Sequence, residues 1–176
     1  MTSLARTRSD PEPRTLFFAD DGIVPNNPDL PVLLTPGAVD PASGAEAICA
    51  LYEANGWHKT WTWTVYDFHH YHPDAHEALC AASGWADLQI GGPGGETLRV
   101  SAGDAMVLPA GVGHCLIGQS EDFRICGGYP GDQPAGTIVR APEERDEAHS
   151  EQIAALSRPK TDPIFGEDGP LVTLWG

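Results

Sequence analysis

Glycine and proline occur 20 and 16 times in 176 residues, and between them the apolar runs stop after a handful of residues. Punctuation this dense interrupts helices before they complete, because Gly loses the most backbone freedom on ordering and Pro removes a donor and fixes φ. Such a chain suits a bundle of long helices poorly, and no run approaches the roughly 20 consecutive apolar residues of a transmembrane helix. What survives is a set of short strands joined by tight turns. A chain of this length fits one domain and buries roughly 70% of its unfolded surface, enough for a core without disulfide staples.

Residues 1–15 carry Arg6, Arg8 and Arg14 but no apolar stretch, and read as a disordered leader rather than a secretory signal. Residues 16–176 read as a single domain. Asp20-Asp21-Gly22 and Pro25-Asn26-Asn27-Pro28 are turn chemistry. Asp40-Pro41 predicts an N-cap and first turn, Ala45, Ile48, Cys49, Leu51 and Tyr52 an apolar stripe, and Asn55-Gly56 a stop. Together they make a helix of about thirteen residues.

From Trp57 the period becomes two. The alternation predicts one strand with Trp61, Trp63 and Val65 on one face and Thr62, Thr64, Tyr66, Phe68, His70 and His72 on the other. On that parity the Trp pair packs against the helix or a partner subunit; a stacking platform for a ligand is the other reading. Further strands are expected from Glu77 to about Cys80, at Ala86 to Ile90, Leu98 to Val100, Ala105 to Leu108, His114 to Ile117 and Phe123 to Tyr129. The barrel core then runs from about 57 to 130. A second helix is expected over about 142–156, followed by a tail, 159–176, whose apolar end Leu171 to Trp175 lies back on the body. The fold class is all-β dominated, an antiparallel sandwich or barrel with one N-terminal and one C-terminal helix outside it.

The formal charge of −15 argues against nucleic acid and against an anionic membrane surface, since both would be repelled. Cys49, Cys80, Cys115 and Cys126 form no CxxC pair and read as free thiols in a reducing compartment, which places the chain in the cytoplasm. Gly91-Gly92-Pro93-Gly94-Gly95 is a loop, but no Lys-Ser/Thr follows it, so it is not a phosphate cradle.

The chemistry is concentrated in two stretches. His70 and His72 are two apart, so in extended chain they point the same way and can grip one ion. Glu77 and His114 are brought to them by the fold. Imidazole nitrogen and carboxylate oxygen are donors for divalent first-row metals. His76 precedes Glu77, and a bulge there would present it instead, giving a set of His72, His76 and His114. Tyr66, on the same parity as His70, is a candidate proton donor or oxyanion binder, or a wall residue with its hydroxyl tied to backbone. Thr64, Phe68, Leu79 and Leu116 share the expected inward parity.

His70-Tyr71-His72-Pro73 with Glu77 and Gly84, followed by Gly103, Pro109-Ala110-Gly111 and His114, resembles the paired motifs of the cupin superfamily. The second motif departs at its end, where Gly118 stands in place of the usual Asn. Phe18 to Gly22, Pro25 to Pro31, His76 to Leu79 and Asp162 to Gly166 extend the resemblance, over about residues 16–176, to the YjlB-like single-domain cupins, whose reaction is not established. The resemblance implies a small jelly-roll β-barrel, often dimeric, holding one divalent transition metal (Fe, Mn, Ni, Co or Zn) on His70, His72, Glu77 and His114. Two octahedral positions would stay open. The leading expectation is a metal-dependent, dioxygenase-like oxidoreductase acting on a small organic molecule, as a homodimer. The alternatives are a metal-dependent isomerase or lyase of a sugar or hydroxy acid, and a non-catalytic binding or sensor protein.

Overall fold

In the computed structural model, residues 13–176 are described, and the expected leader over residues 1–12 lies outside them. Arg14 and Thr15 already belong to a strand. In chain order the elements are β1 (Arg14–Leu16), β2 (Val32–Thr35), α1 (Ala45–Ala54), β3 (Trp57–Trp63), β4 (His70–Tyr71), β5 (Glu77–Ser83), β6 (Trp85–Ile90) and β7 (Glu96–Ser101). There follow β8 (Ala105–Leu108), β9 (His114–Gln119), β10 (Arg124–Pro130), β11 (Val139–Arg140), α2 (Ala148–Ala154) and α3 (Pro170–Leu174). The strands form two antiparallel sheets, one of order β1-β2-β8-β5-β10-β3 and one of order β11-β4-β9-β6-β7. The two face each other as a jelly-roll barrel.

Between the sheets lies a core of Val32, Leu79, Ala81, Leu88, Ile90, Leu98, Met106, Leu108, Phe123 and Ile125, drawn from both. The first sheet is buried on its other face as well. There Tyr52 and Ile48 of α1, Trp57, Ala78, Cys80 and Cys126 pack with Ile164, Leu171 and Trp175 of the tail. Double burial explains why β5 reads as an unbroken run of small apolar residues, buried from Glu77 through Ala82, rather than as an alternation. The second sheet has a wet outer face, and β6 and β7 alternate accordingly. All four cysteines are free; Cys80, Cys115 and Cys126 are buried, and burial pushes the Cys126 thiol up to about 12.

Several expectations are corrected. α1 begins at Ala45, not at Pro41, because Asp40 spends its carboxylate and carbonyl on the backbone N–H groups of Ala42 and Ser43 in a separate turn. The helix is therefore ten residues long, and Gly56, at φ 81°, follows its end as anticipated. The C-terminal helix covers 148–154, not 142–156; Pro142 to Arg145 form turns, with Glu144 and Arg145 donating to the carbonyls of Arg140 and Pro142. Gly118 sits inside β9 without breaking it, next to a register shift at Asp87/Leu88 on the neighbouring strand.

The largest correction concerns the segment 57–72, which is two strands in different sheets. β3 pairs with β10 and β4 with β9 and β11, so the chain crosses the barrel wall at residues 64–69. A parity counted from Trp57 does not survive that crossing. It is also broken inside β3, where Lys59 adopts φ 55° opposite a register shift between Gly127 and Tyr129. Trp57 consequently packs outward under the tail, while Trp61 turns into the barrel. Gly127 permits this, since a Cβ there would lie 2.1 Å from the Trp61 ring.

The tail is held by two buried tryptophans as well as by its apolar end. Trp175 is 1% exposed and donates its Nε1–H to the Pro31 carbonyl at 3.0 Å, and Trp57 donates to the Thr161 carbonyl at 3.0 Å. Removing a ring of this size leaves a cavity the sheet cannot close. Trp175→Ala is therefore expected to cost about 3–5 kcal/mol in chemical denaturation. An unchanged unfolding midpoint would show that the tail is not part of the core.

Candidate metal centre

β4 and β9 place His70 and His114 directly opposite each other, with ring centroids 4.0 Å apart. His72 follows β4 in a loop fixed by the Gly111 N–H, which donates to the His72 carbonyl at 2.9 Å. Glu77 opens β5 on the facing sheet, in register with Leu108. The barrel thus closes two histidines of one sheet, and the loop between, onto a carboxylate of the other. All four side chains are buried, each 3–6% exposed.

The hydrogen bonds fix which way the imidazoles present their lone pairs. His70 Nδ1 lies 2.9 Å from the Phe68 carbonyl, His72 Nδ1 2.9 Å from the Thr137 carbonyl, and His114 Nδ1 3.1 Å from the Val112 carbonyl. A carbonyl can only accept, so each Nδ1 carries the proton and each neutral ring turns the lone pair of Nε2 the other way. Two of those nitrogens face Glu77: its Oε2 lies 3.3 Å from His72 Nε2 and 3.2 Å from His114 Nε2. Oε2 is buried and accepts no hydrogen bond. Lone pairs aimed at one another in a dry pocket are repulsive unless something positive lies between them.

Protons fill that role only in part. Burial pushes His70 down to about 2, with the neighbouring His114 adding to the effect, so His70 stays neutral. Burial also opposes charge on His72, yet the Glu77 carboxylate outweighs it and raises the His72 pKa. Burial opposes ionisation of Glu77 too, and the facing His72 and His114 hold it well below the carboxylate range all the same. A proton shared by His72 and Glu77 leaves the His70 lone pair unanswered. One divalent cation would answer the three histidines together. Candidate ligand atoms of His70, His72 and His114 lie within 4.8 Å of one another, compatible with donors about 2.1 Å from a common centre.

The surrounding contacts hold the donors in place. Tyr129 donates its hydroxyl to Glu77 Oε1 at 3.2 Å and accepts the Trp61 Nε1–H at 3.0 Å, leaving Oε2 as the oxygen turned to the histidines. Asp74 accepts from the Thr137 N–H at 2.8 Å and from its hydroxyl at 2.5 Å, tying down the carbonyl that orients His72. Gly136 lies flat against the His72 ring, where an added Cβ would be 2.6 Å from Cγ.

The cluster opens into a cavity of about 370 Å³ walled by Trp61, Trp63, Thr64, Val65, Tyr66, Leu79, Tyr129, Ala135, Gly136 and Ile138. Tyr66 is there, its ring 5.4 Å from that of His70 and stacked on Phe68 at 4.9 Å. Thr64 and Leu79 line the wall as expected. Phe68 and Leu116 do not: Phe68 carries the Arg140 guanidinium 3.8 Å over its ring, and Leu116 packs into the core. Trp61 and Trp63, expected to face away, line the cavity with the histidines. His76 points elsewhere. Its Nδ1 accepts the Ala110 N–H at 2.9 Å, its ring lies 5.0 Å from that of Trp175, and burial lowers its pKa to about 4. It borders a separate cavity of about 230 Å³ beside Asn26, Asn27 and Arg158. Tyr129 and the 135–138 segment were not singled out in the sequence, where a strand-end Tyr and an Ala-Gly-Thr-Ile stretch carry no motif.

A jelly-roll barrel with histidines and a glutamate converging inside it is the architecture of a cupin, and the cupin-domain profile matches residues 65–125. Over 164 residues the chain is 40% identical to the uncharacterized protein YjlB of Bacillus subtilis (strain 168), covering 93% of this chain and 97% of that one. It belongs to the YjlB family of cupins. Among solved structures, an acireductone dioxygenase from Bacillus anthracis with a cadmium ion in its active centre aligns at TM-score 0.36 and 15% identity, over 52% of this chain and 62% of that one. The 4-keto-6-deoxy sugar epimerase NovW from Streptomyces spheroides aligns at TM-score 0.38 and 14% identity, over 92% and 81% of the two chains.

The Tyr129 hydroxyl holds one carboxylate oxygen and so aims the other. Tyr129→Phe keeps the ring in the wall and deletes that bond. Its affinity for Co(II), measured by chelator competition, is expected to fall about 10–100-fold, as for loss of other partners behind a ligand. Wild-type affinity in this variant would mean that Glu77 is oriented by something else.

Proposed function

We propose that His70, His72, His114 and Glu77 bind one divalent transition metal and that the protein is a metal-dependent enzyme acting on a small organic molecule, with dioxygenase-like oxidoreduction as the leading reaction. The observation that carries this reading is the buried cluster of three histidines whose Nε2 lone pairs are left free by backbone carbonyls, two of them facing a Glu77 oxygen that accepts no hydrogen bond. Nitrogen and oxygen donors without thiolate suit Fe(II), Mn(II), Co(II), Ni(II) or Zn(II). Such an ion supplies Lewis acidity and, for Fe or Mn, access to one-electron chemistry.

The chain's own contribution is positional. His70, His72 and His114 are locked as neutral donors by backbone carbonyls. Trp61, Val65, Leu79 and Ile138 keep water from the reacting face, and Tyr66 stands where it can donate a proton to, or hold, a substrate oxygen. His76, engaged by Ala110 and packed on Trp175, takes no part.

Elemental analysis of protein purified without a histidine tag tests the site. About one metal ion per chain is expected in wild type and in His76→Ala, and little in His70→Ala or His114→Ala. Equal occupancy in all four refutes the ligand assignment. Oxygen uptake by the Fe(II)-loaded protein with candidate organic acids and enols then tests the reaction. Turnover with redox-inert Zn(II) would reassign it to isomerase or lyase chemistry, and a ligand held tightly but recovered intact would make the protein a sensor.

A further inference from the structure

The cavity wall specifies more than a small molecule. Its polar atoms are already committed: Trp61 Nε1 to Tyr129, the Tyr129 hydroxyl to Glu77, Thr64 Oγ1 to Gln119 at 2.5 Å, and each histidine Nδ1 to a carbonyl. The Tyr66 hydroxyl and the Trp63 Nε1–H, at the mouth, are the wall side-chain groups outside that network. Among the described residues no Lys, Arg, Asn or Gln lines the cavity. The nearby Arg140 lies over the ring of Phe68, which is itself not in the wall. The rest of the surface is Trp61, Trp63, Val65, Leu79 and Ile138, with Gly136 presenting a flat patch beside His72.

Each class of ligand meets this wall differently. A sugar brings several hydroxyls that would give up water for one phenol and one indole N–H. A dicarboxylate or phosphate ester brings a second charge, which would be buried against apolar side chains with no cation to meet it. A flat apolar body loses nothing by desolvation and finds ring faces and edges: Trp63 and Tyr66 lie edge to face, centroids 5.1 Å apart at 66°, at the half-exposed mouth. At about 370 Å³ the space is near the small end of ligand pockets and admits one ring or a fused pair.

We propose that the substrate is an aromatic or similarly flat, largely apolar compound bearing a single metal-binding oxygen group, with its ring against Trp63 and Tyr66 and that group toward the histidines. This rests on the metal reading above. The polar end sits at the cluster because the other polar side-chain groups of the wall, apart from the Tyr66 hydroxyl and the Trp63 indole N–H at the mouth, are taken.

The test uses the full-length protein loaded with Co(II), whose visible absorption reports the ligand sphere while tryptophan fluorescence reports the wall. Benzohydroxamate, acetohydroxamate and oxalate are titrated in turn. The first two share a chelating group and differ by a phenyl ring; the third carries two charges and no ring. Benzohydroxamate is expected to bind at least about tenfold more tightly than acetohydroxamate, and oxalate more weakly than benzohydroxamate. Trp63→Ala should erase most of the phenyl advantage while acetohydroxamate affinity and the Co(II) spectrum stay as in wild type. Equal affinity for the two hydroxamates, or oxalate binding as tightly as benzohydroxamate, overturns the substrate class and leaves the metal site standing. Failure of wild type to take up Co(II), or equal uptake by His114→Ala, overturns the metal reading and this inference with it.

Discussion

Three buried histidines clustered beside a buried glutamate set the terms for the rest of this protein. Three carbonyls, of Phe68, Val112 and Thr137, fix the proton on the far side of each imidazole, and Tyr129 fixes the far oxygen of Glu77. What remains at the centre is electron density without a counterpart. A core that only needed to be stable would not contain it, because well-packed apolar residues do the same work without the desolvation cost. The arrangement is intelligible as a site that is completed by a cation, and the barrel is what makes it affordable.

That barrel works by burying one sheet on both faces. β5 carries Glu77 at its first position and then six small or apolar residues, which lets α1 and the tail press on one side while the second sheet presses on the other. A strand held this way cannot slip register, since a one-residue shift would turn Glu77 into the packing under Trp175 and Leu79 out of the barrel. The 131–138 segment lies between β10 and β11, outside both sheets. It reaches the site through side-chain and carbonyl contacts from Asp74, Thr137 and Gly136 and supplies part of the cavity wall.

The sequence made the site more legible than the surfaces around it. Spacing of two between His70 and His72 survives in the structure because both lie at or just past a strand, where local parity holds. The resemblance of the second stretch supplied His114. Parity failed where it was carried too far: a left-handed Lys59 and a change of sheet at 64–69 separate Trp57 from His70, and neither leaves a mark in an alternating run of aromatic and β-branched residues. The helix ends failed for a related reason. Asp40-Pro41 and Pro142 are capping residues that also make turns, and short-range hydrogen bonds chose the turn in both cases. Tyr129 was out of reach, because its role is set by what crosses from β3 and β5 rather than by its neighbours in β10.

Tyr129 and Trp61 also tie orientation to desolvation. A chain of donors runs Trp61 to Tyr129 to Glu77, and its two aromatic members are at the same time walls of the cavity. Their hydrogen-bonding capacity is spent on the carboxylate, so what they offer a ligand is ring surface. Burial and the adjacent carboxylate push the Tyr129 hydroxyl above its ordinary range, which keeps it a donor to Glu77 rather than a competing charge. An apolar wall built from polar-capable residues thus follows from the need to hold one carboxylate oxygen still. An apolar stretch of wall and a fixed Glu77 carboxylate are two consequences of the same pair of hydrogen bonds.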